Sequence, residues 1–267
     1  MSSVLDTIVA GARQSADARM RVLPLAHMER LAAVRQPRGR SFREALGAPG
    51  IRVIAECKRR SPSKGVLRPD YDPAAIAVGY TSAGATAVSV LTEPSFFDGS
   101  LDHLRAVRDV TRTPLLRKDF VVTEYQIAEA RAFGADAVLL IVAALTAADL
   151  ARLAAYADAL GLMTLVEAHA DDELAVAVDA GAEVIGVNSR DLRTLAVDTT
   201  LFERAINCIP DHVIAVAESG IRTPADIRQL RSVGFDAFLI GERFMTAPDP
   251  GMALSAFLRE CDPSEAS

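Results

Sequence analysis

Five short apolar runs in this chain end in side chains that can carry charge or move a proton. Ile54 is followed at two-residue spacing by Glu56 and Lys58, and Leu116 by Lys118. Met163 and Leu165 are followed by Glu167, Val184 and Gly186 by Asn188 and then Arg190, and Ile214 and Val216 by Glu218. Residues two apart on an extended strand share a face, so each run presents an apolar face that turns polar at its C-terminal end. One such end is an ordinary solvated strand terminus. Five of them, with both signs of charge, are better explained by convergence on one site. An ammonium there holds a neighbouring carboxylate ionised, while crowded carboxylates push their pKa values apart. That combination supplies a general acid and a general base.

This chemistry needs no histidine. His169 shares the face parity of Glu167 and is the only histidine near a strand end, whereas His27, His103 and His212 fall in helix or strand-start positions. No HxH, HExxH or cysteine cluster appears, so neither a metal nor another cofactor is expected. Cys57, Cys208 and Cys261 lie far apart, which suits a reducing cytoplasm better than a disulfide framework. The 29 basic and 35 acidic residues give a net charge of −6, which argues against general nucleic-acid binding. No apolar run reaches the roughly 18 residues of a membrane span. The N-terminal stretch contains Asp6 and lacks the apolar segment of a secretory signal.

The elements that must position these residues announce themselves by repetition. GATAVSV, GADAVLL, GAEVIGV and GFDAFLI begin at Gly84, Gly134, Gly181 and Gly234, roughly fifty residues apart. Each reads as a glycine that ends a helix in the left-handed conformation, followed by a buried strand. Further apolar runs start at Ile51, Thr113, Leu162 and His212, making eight strands. Helical stretches over 73–83, 100–110, 124–133, 146–160, 171–180, 199–207, 223–233 and 250–260 alternate with them. Several open on a capping residue or early proline, as at Asp72-Pro73, Thr146, Thr223-Pro224 and Asp249-Pro250. Such alternation predicts an α/β fold, a (βα)8 TIM barrel, with a doubly wound open sheet as the alternative. Residues 1–48 stand outside the repeat and read as an N-terminal helical extension, with helices over about 3–17 and 24–34 and a polar connector, RQPRGRS, from Arg35. Residues 49–267 form the barrel catalytic domain, the whole being a single domain.

In a barrel, strand C-termini meet at one mouth, and the loops after strands seven and eight often bind phosphate. Here those loops carry Glu218-Ser219-Gly220 and Ile240-Gly241-Glu242, with Glu242–Met245 as a short helix whose N–H groups face an anion. The loop KRRSPSKG adds Lys58, Arg59, Arg60 and Lys64 to an otherwise acidic chain. A single short basic run without interleaved aromatics favours a small anion over a polymer. The residues thus describe a barrel enzyme acting on a small phosphorylated anion by acid–base chemistry, and leave the reaction open.

The segments IAECKRRSPSKG (54–65), VLTEPSFFDGSL (90–101), PLLRKDFVVTEYQIAEAR (114–131), LLIVAAL (139–145), LVEAH (165–169), GVNSRDLRTLAVD (186–198), AESGI (217–221) and IGERFM (240–245) closely resemble, in order, those of indole-3-glycerol phosphate synthase. The AExKxxSPS and LRKDF motifs are specific to that family, whereas AESG and IGE are shared among phosphate-binding barrels. Ser189 departs from it, standing where a second Asn is common. The resemblance implies a lyase of tryptophan biosynthesis that converts 1-(o-carboxyphenylamino)-1-deoxyribulose 5-phosphate to indole-3-glycerol phosphate by ring closure, decarboxylation and dehydration. It implies Lys118 as general acid, Lys58 and Glu167 as the acid–base pair for loss of water with either role open to either residue, and Glu56 as the residue that orients Lys58. Asn188, Arg190, Glu218 and Ser61 would hold the substrate's carboxylate and hydroxyls, and Phe97 and Phe120 its aromatic ring. Ser219, Gly220, Gly241 and Glu242 would hold its phosphate. Weak association with neighbouring pathway enzymes is compatible with this reading, as are two rivals. Phosphoribosylanthranilate isomerase or the tryptophan synthase α subunit would share the glycine turns but not the two lysines. A catalytically silent barrel would share the fold but has no use for intact acid and base residues.

Overall fold

A computed structural model describes residues 4–35, 41–192, 194 and 196–261. Eight parallel strands close into a barrel: β1 (Arg52–Cys57), β2 (Ala87–Leu91), β3 (Leu115–Lys118), β4 (Ala137–Ile141), β5 (Met163–Ala168), β6 (Val184–Asn188), β7 (Ile214–Glu218) and β8 (Ala237–Ile240). Arg52 to Ala55 of β1 pair in parallel with Ala237 to Ile240 of β8, which seals the barrel and disposes of the open-sheet alternative. The connecting helices are Pro73–Ser82, Leu101–Val110, Glu124–Ala132, Ala147–Ala159, Asp171–Asp179, Leu201–Ala205, Pro224–Val233 and Pro250–Cys261. The sixth is shorter than its sequence suggests, because the chain tightens into a 3₁₀ turn at Ile206–Cys208. Gly84, Gly134, Gly181 and Gly234 have φ values of 93°, 96°, 75° and 118°, the left-handed conformation that stops a helix and returns the chain to the sheet.

Alternation along the strands sorts their side chains into two cores. Ile54, Leu116, Leu165, Val184 and Val216 pack within the barrel, whereas Val53, Ala55, Cys57, Val88, Ile185 and Phe238 pack between strands and helices. Fully burying one such aliphatic side chain is worth about 1.5–3 kcal/mol.

Among the described residues three helices precede the barrel: α1 (Val4–Val22), α2 (Leu25–Ala33) and α3 (Phe42–Leu46). The first runs on to Val22, past the expected end, and the third was not expected. Ser41 and Glu44 form a capping box: the Glu44 N–H donates to Ser41 Oγ at 3.2 Å and the Ser41 N–H to Glu44 Oε2 at 3.3 Å. Residues 36–40 of the supposed connector lie outside the described residues. Leu5 and Ile8 of α1 join the inner core, while Ala16, Met28 and Ala32 pack on Tyr125, Ala128 and Ala132 of a barrel helix. Phe42 and Leu46 rejoin the inner core, and Arg43 donates to the His212 carbonyl and pairs with Glu183, just ahead of β7 and β6. The N-terminal segment therefore reaches from the catalytic mouth along the outside of the barrel to its opposite end.

Candidate active site

The polar strand ends converge as their parity requires. Glu56, Lys58, Lys118, Glu167, Asn188 and Glu218 line one cavity of about 680 Å³ at the C-terminal mouth. Ser61, Phe97, Phe120, Arg190, Ser219, Gly220, Gly241 and Glu242 line it too, so every residue singled out for the site faces the same space. Val4 and Ile8 close part of its rim from α1.

Lys118 is the hub of its floor. Its Nζ lies 2.8 Å from Glu167 Oε2 and 3.5 Å from Glu218 Oε2. Burial disfavours the Lys118 ammonium, but the charges of Glu167, Glu218 and Glu56 outweigh it and raise the pKa. Burial likewise penalises the Glu167 carboxylate, yet Lys118 and His169 prevail and hold it well below the usual range. Burial and the neighbouring Glu167 charge push Glu218 the other way, well above the usual carboxylate range. The floor thus sets one ammonium beside two carboxyl groups whose pKa values are pushed apart. Lys58 forms its own ion pair with Glu56.

Two glycines create the space for this arrangement. A Cβ on Gly186 would lie 2.1 Å from Glu218 Oε1, and one on Gly241 would lie 2.3 Å from Glu56 Oε2. Gly186 was legible only as a glycine inside a strand, the usual sign of close approach by another group. For Gly241 the steric contact is with Glu56, a role additional to the one its turn suggested.

The residues flanking Lys118 fix its strand. Arg117, 1% exposed, donates to Thr92 Oγ1 at 3.0 Å, the Gln126 carbonyl at 2.6 Å and Asp119 Oδ2 at 2.7 Å. Asp119 Oδ1 accepts the Phe120 N–H at 2.8 Å, and Gln126 Nε2 donates to the Phe120 carbonyl at 2.9 Å. The Phe120 and Phe97 rings stand 6.3 Å apart between centroids. Phe97 closes a short helix, Pro94–Phe97, whose N–H groups are capped by the Glu93 carboxylate. This supporting network was not foreseen, although Arg117 and Asp119 lie inside the motif that marked Lys118.

On the anion side, Ser219 and Gly220 take successive left-handed conformations, with φ of 63° and 71°. The helix Glu242–Met245 begins as expected, directly after Gly241. The basic loop after β1 divides its charges differently from the expectation. Arg59 Nη1 lies 2.5 Å and Arg60 Nη1 3.7 Å from the Asp98 carboxylate, tying that loop to the one after β2. Only Lys58 and Lys64 of its four cations line the cavity. Lys64 Nζ is 3.9 Å from Glu242, and its N–H donates to Ser61 Oγ at 3.2 Å. Asn188 Oδ1 accepts the Arg190 N–H at 3.0 Å. Ser189 faces elsewhere, its N–H donating to the Glu218 carbonyl at 3.1 Å. Cys57 is fully buried on the outer face of β1, and its burial raises the thiol pKa. Among the described residues no group of three or more His, Cys, Asp and Glu side chains is placed to hold a metal ion, and no helix is long and apolar enough to cross a membrane.

A closed (βα)8 barrel with an acid–base floor and glycine turns after β7 and β8 defines the class: a barrel enzyme for small phosphorylated substrates. The fold recurs in thiamine phosphate pyrophosphorylase from Pyrococcus furiosus, with TM-score 0.61, 18% identity, and 83% of this chain and 99% of that one covered. It recurs also in KGPDC from Streptococcus mutans, with TM-score 0.63, 14% identity, and 80% and 99% covered. Sequence comparison goes further. The family model for indole-3-glycerol phosphate synthase matches residues 5–257. The indole-3-glycerol phosphate synthase of Streptomyces griseus is 49% identical over 95% of this chain and 94% of its own length. That of Mycolicibacterium smegmatis is 48% identical over 95% and 93%. The chain belongs to the indole-3-glycerol phosphate synthase family and is, with it, a carboxy-lyase.

Proposed function

We propose that this chain converts 1-(o-carboxyphenylamino)-1-deoxyribulose 5-phosphate to indole-3-glycerol phosphate, with the floor of the cavity supplying the proton transfers. The observation that carries the reading is Lys118 Nζ at 2.8 Å from Glu167 and 3.5 Å from Glu218, at the base of a cavity lined by every candidate residue. The aromatic carbon bearing the carboxylate attacks the ketone, and Lys118 gives its proton to the ketone oxygen as the carbon–carbon bond forms. Carbon dioxide then leaves. The hydroxyl left from the ketone departs as water, with Lys58 as proton donor and Glu167 as base. The depressed pKa of Glu167 supports the base role, because it is ionised before the reaction begins. Glu56 orients Lys58 through their ion pair. Asn188, Arg190, Ser61 and Glu218 hold the substrate's polar groups, and Phe97 and Phe120 its ring.

The phosphate goes to the loops after β7 and β8, at Ser219, Gly220, Gly241 and Glu242. Successive left-handed residues followed by a short helix start support that placement. Residues 1–48 act as an extension of the barrel domain 49–267, supported by α1 and α3 both entering the inner core. Burial of Cys57 and Cys261 and the absence of pairing among the three cysteines support a reducing, cytoplasmic setting. The test is direct: purified protein with the carboxyphenylamino substrate should give the absorbance and fluorescence of the indole product. A folded protein that forms none refutes the assignment.

A further inference from the structure

Just past the end of β5, the His169 side chain is only 8% exposed, with Nε2 3.2 Å from Glu167 Oε1 and Nδ1 3.4 Å from Glu173 Oε2. A neutral imidazole has one N–H and one lone pair. It could donate to one of these carboxylates only by turning its lone pair on the other. An imidazolium places an N–H on the side of each and pairs with both by charge. Glu173 is held in place independently. The helix Asp171–Asp179 opens on Ala170, which has no capping side chain, and Glu173 takes over by accepting the His169 main-chain N–H at 2.7 Å. The other oxygen of Glu167 is taken by Lys118. Glu167 is therefore bracketed by two cations on different oxygens, and of the two only Lys118 lines the cavity.

We propose that His169 is a positioning residue: as an imidazolium anchored by Glu173, it keeps Glu167 ionised and oriented while Lys118 is without its proton. The inference rests on Lys118 being the proton donor and Glu167 the later base. Once Lys118 has given up its proton, Glu167 loses its nearest counter-charge in a fully buried position. Its other neighbours on the floor are Glu56 from β1, whose charge is met by the Lys58 ammonium, and Glu218 from β7. Without a second cation Glu167 would take up a proton and be lost as a base for the loss of water. The imidazole meets Glu167 from its own strand and Glu173 from the following helix. Burial lowers its pKa, but these two carboxylates push it up to about 9, so the cation survives across the neutral range.

The test compares wild type, His169→Gln and Glu173→Gln by kcat and KM against pH. Gln at 169 replaces an N–H donor without the charge, and Gln at 173 keeps an acceptor for the helix cap. Removing the imidazolium raises the Glu167 pKa, so the acid limb of kcat in His169→Gln should move up by about one pH unit or more. Its kcat at pH 7 should fall about tenfold with KM within about threefold. In Glu173→Gln the imidazolium loses a partner, so the alkaline decline of kcat should begin at lower pH. A merely structural role would lower stability and leave both limbs in place, which overturns the proposal. ¹⁵N NMR of the His169 ring in the wild-type protein gives an arm independent of activity: both nitrogens should be protonated at pH 7.5, and a single-N–H neutral ring overturns the proposal. A wild-type protein without turnover would instead strike the assigned reaction, and the ring's protonation state would still decide the charge on which this inference depends.

Discussion

Replacing Lys118 by Met tests the proton-transfer scheme where it is most exposed. Met keeps most of the stem of the lysine and removes both the charge and the proton. A positioned general acid contributes about 10²–10⁴-fold, which is about 3–5 kcal/mol of barrier. The geometry adds a second loss, because the same ammonium sits 2.8 Å from Glu167 and helps to hold it ionised. Lys118→Met should therefore fall toward the upper part of that range. KM should change much less, since phosphate and carboxylate are held by other groups. Single-turnover traces of indole-product formation separate the steps. Lys118→Met should accumulate unreacted substrate, whereas Glu167→Gln should pass the carbon–carbon step and accumulate a ring-closed intermediate. Thermal unfolding supplies an internal check. A carboxyl whose folded pKa lies below its unfolded value stabilises the protein above the usual carboxylate range and stops doing so as pH falls through it; without the ammonium the Glu167 pKa rises and part of that contribution is lost. The melting temperature of Lys118→Met should thus lie further below wild type at pH 7 than at pH 3. A folded Lys118→Met with kcat within about tenfold of wild type, short of what a general acid contributes, would refute the mechanism even if the fold and substrate stand.

Other parts of the site make separate demands. Gly241→Val places a side chain where a Cβ alone would meet Glu56 Oε2 at 2.3 Å, so kcat should fall together with a rise in KM; unchanged kinetics would remove Gly241 from both roles. Ile8→Ala removes apolar surface from the cavity rim and the inner core, so KM should rise several-fold with a stability loss of about 2–4 kcal/mol, measured by steady-state kinetics and urea unfolding. Excess chelator should leave turnover intact, and a complete loss restored by added metal would contradict the acid–base scheme.

Much of this site was legible in the sequence because a strand has a period of two. Once Ile54, Leu116, Leu165 and Val216 are taken as inward-facing, Glu56, Lys118, Glu167 and Glu218 must follow on the same face. What parity leaves undetermined is how loops from different strands meet. The pairing of Arg59 and Arg60 with Asp98 depends on how the loops after β1 and β2 run, and no local pattern announces it. The space at Gly186 depends on a carboxylate from the next strand. Two signals were present and went unused. Ser41 stands three residues before Glu44, the spacing of a capping box, and His169 shares the parity of Glu167 with Glu173 one helical turn beyond.

The barrel itself explains why one lysine can meet several carboxylates. Side chains inside a (βα)8 barrel stack in layers of four contributed by alternate strands. Glu56, Lys118, Glu167 and Glu218 come from β1, β3, β5 and β7, the four odd strands. Each stands two residues beyond Ile54, Leu116, Leu165 or Val216, members of the apolar core on the same strands. The polar layer is thus the next odd-strand layer above a packed one. The even strands must leave it room: Gly186 of β6 lies opposite Glu167 in the strand register, and a side chain there would strike Glu218. A single ammonium then serves two acidic groups, while Glu56 is occupied by Lys58. Burial and crowding push the Glu218 pKa up, while Lys118 and His169 hold that of Glu167 down. The two carboxyls differ because their common layer brings like charges close enough to push their pKa values apart.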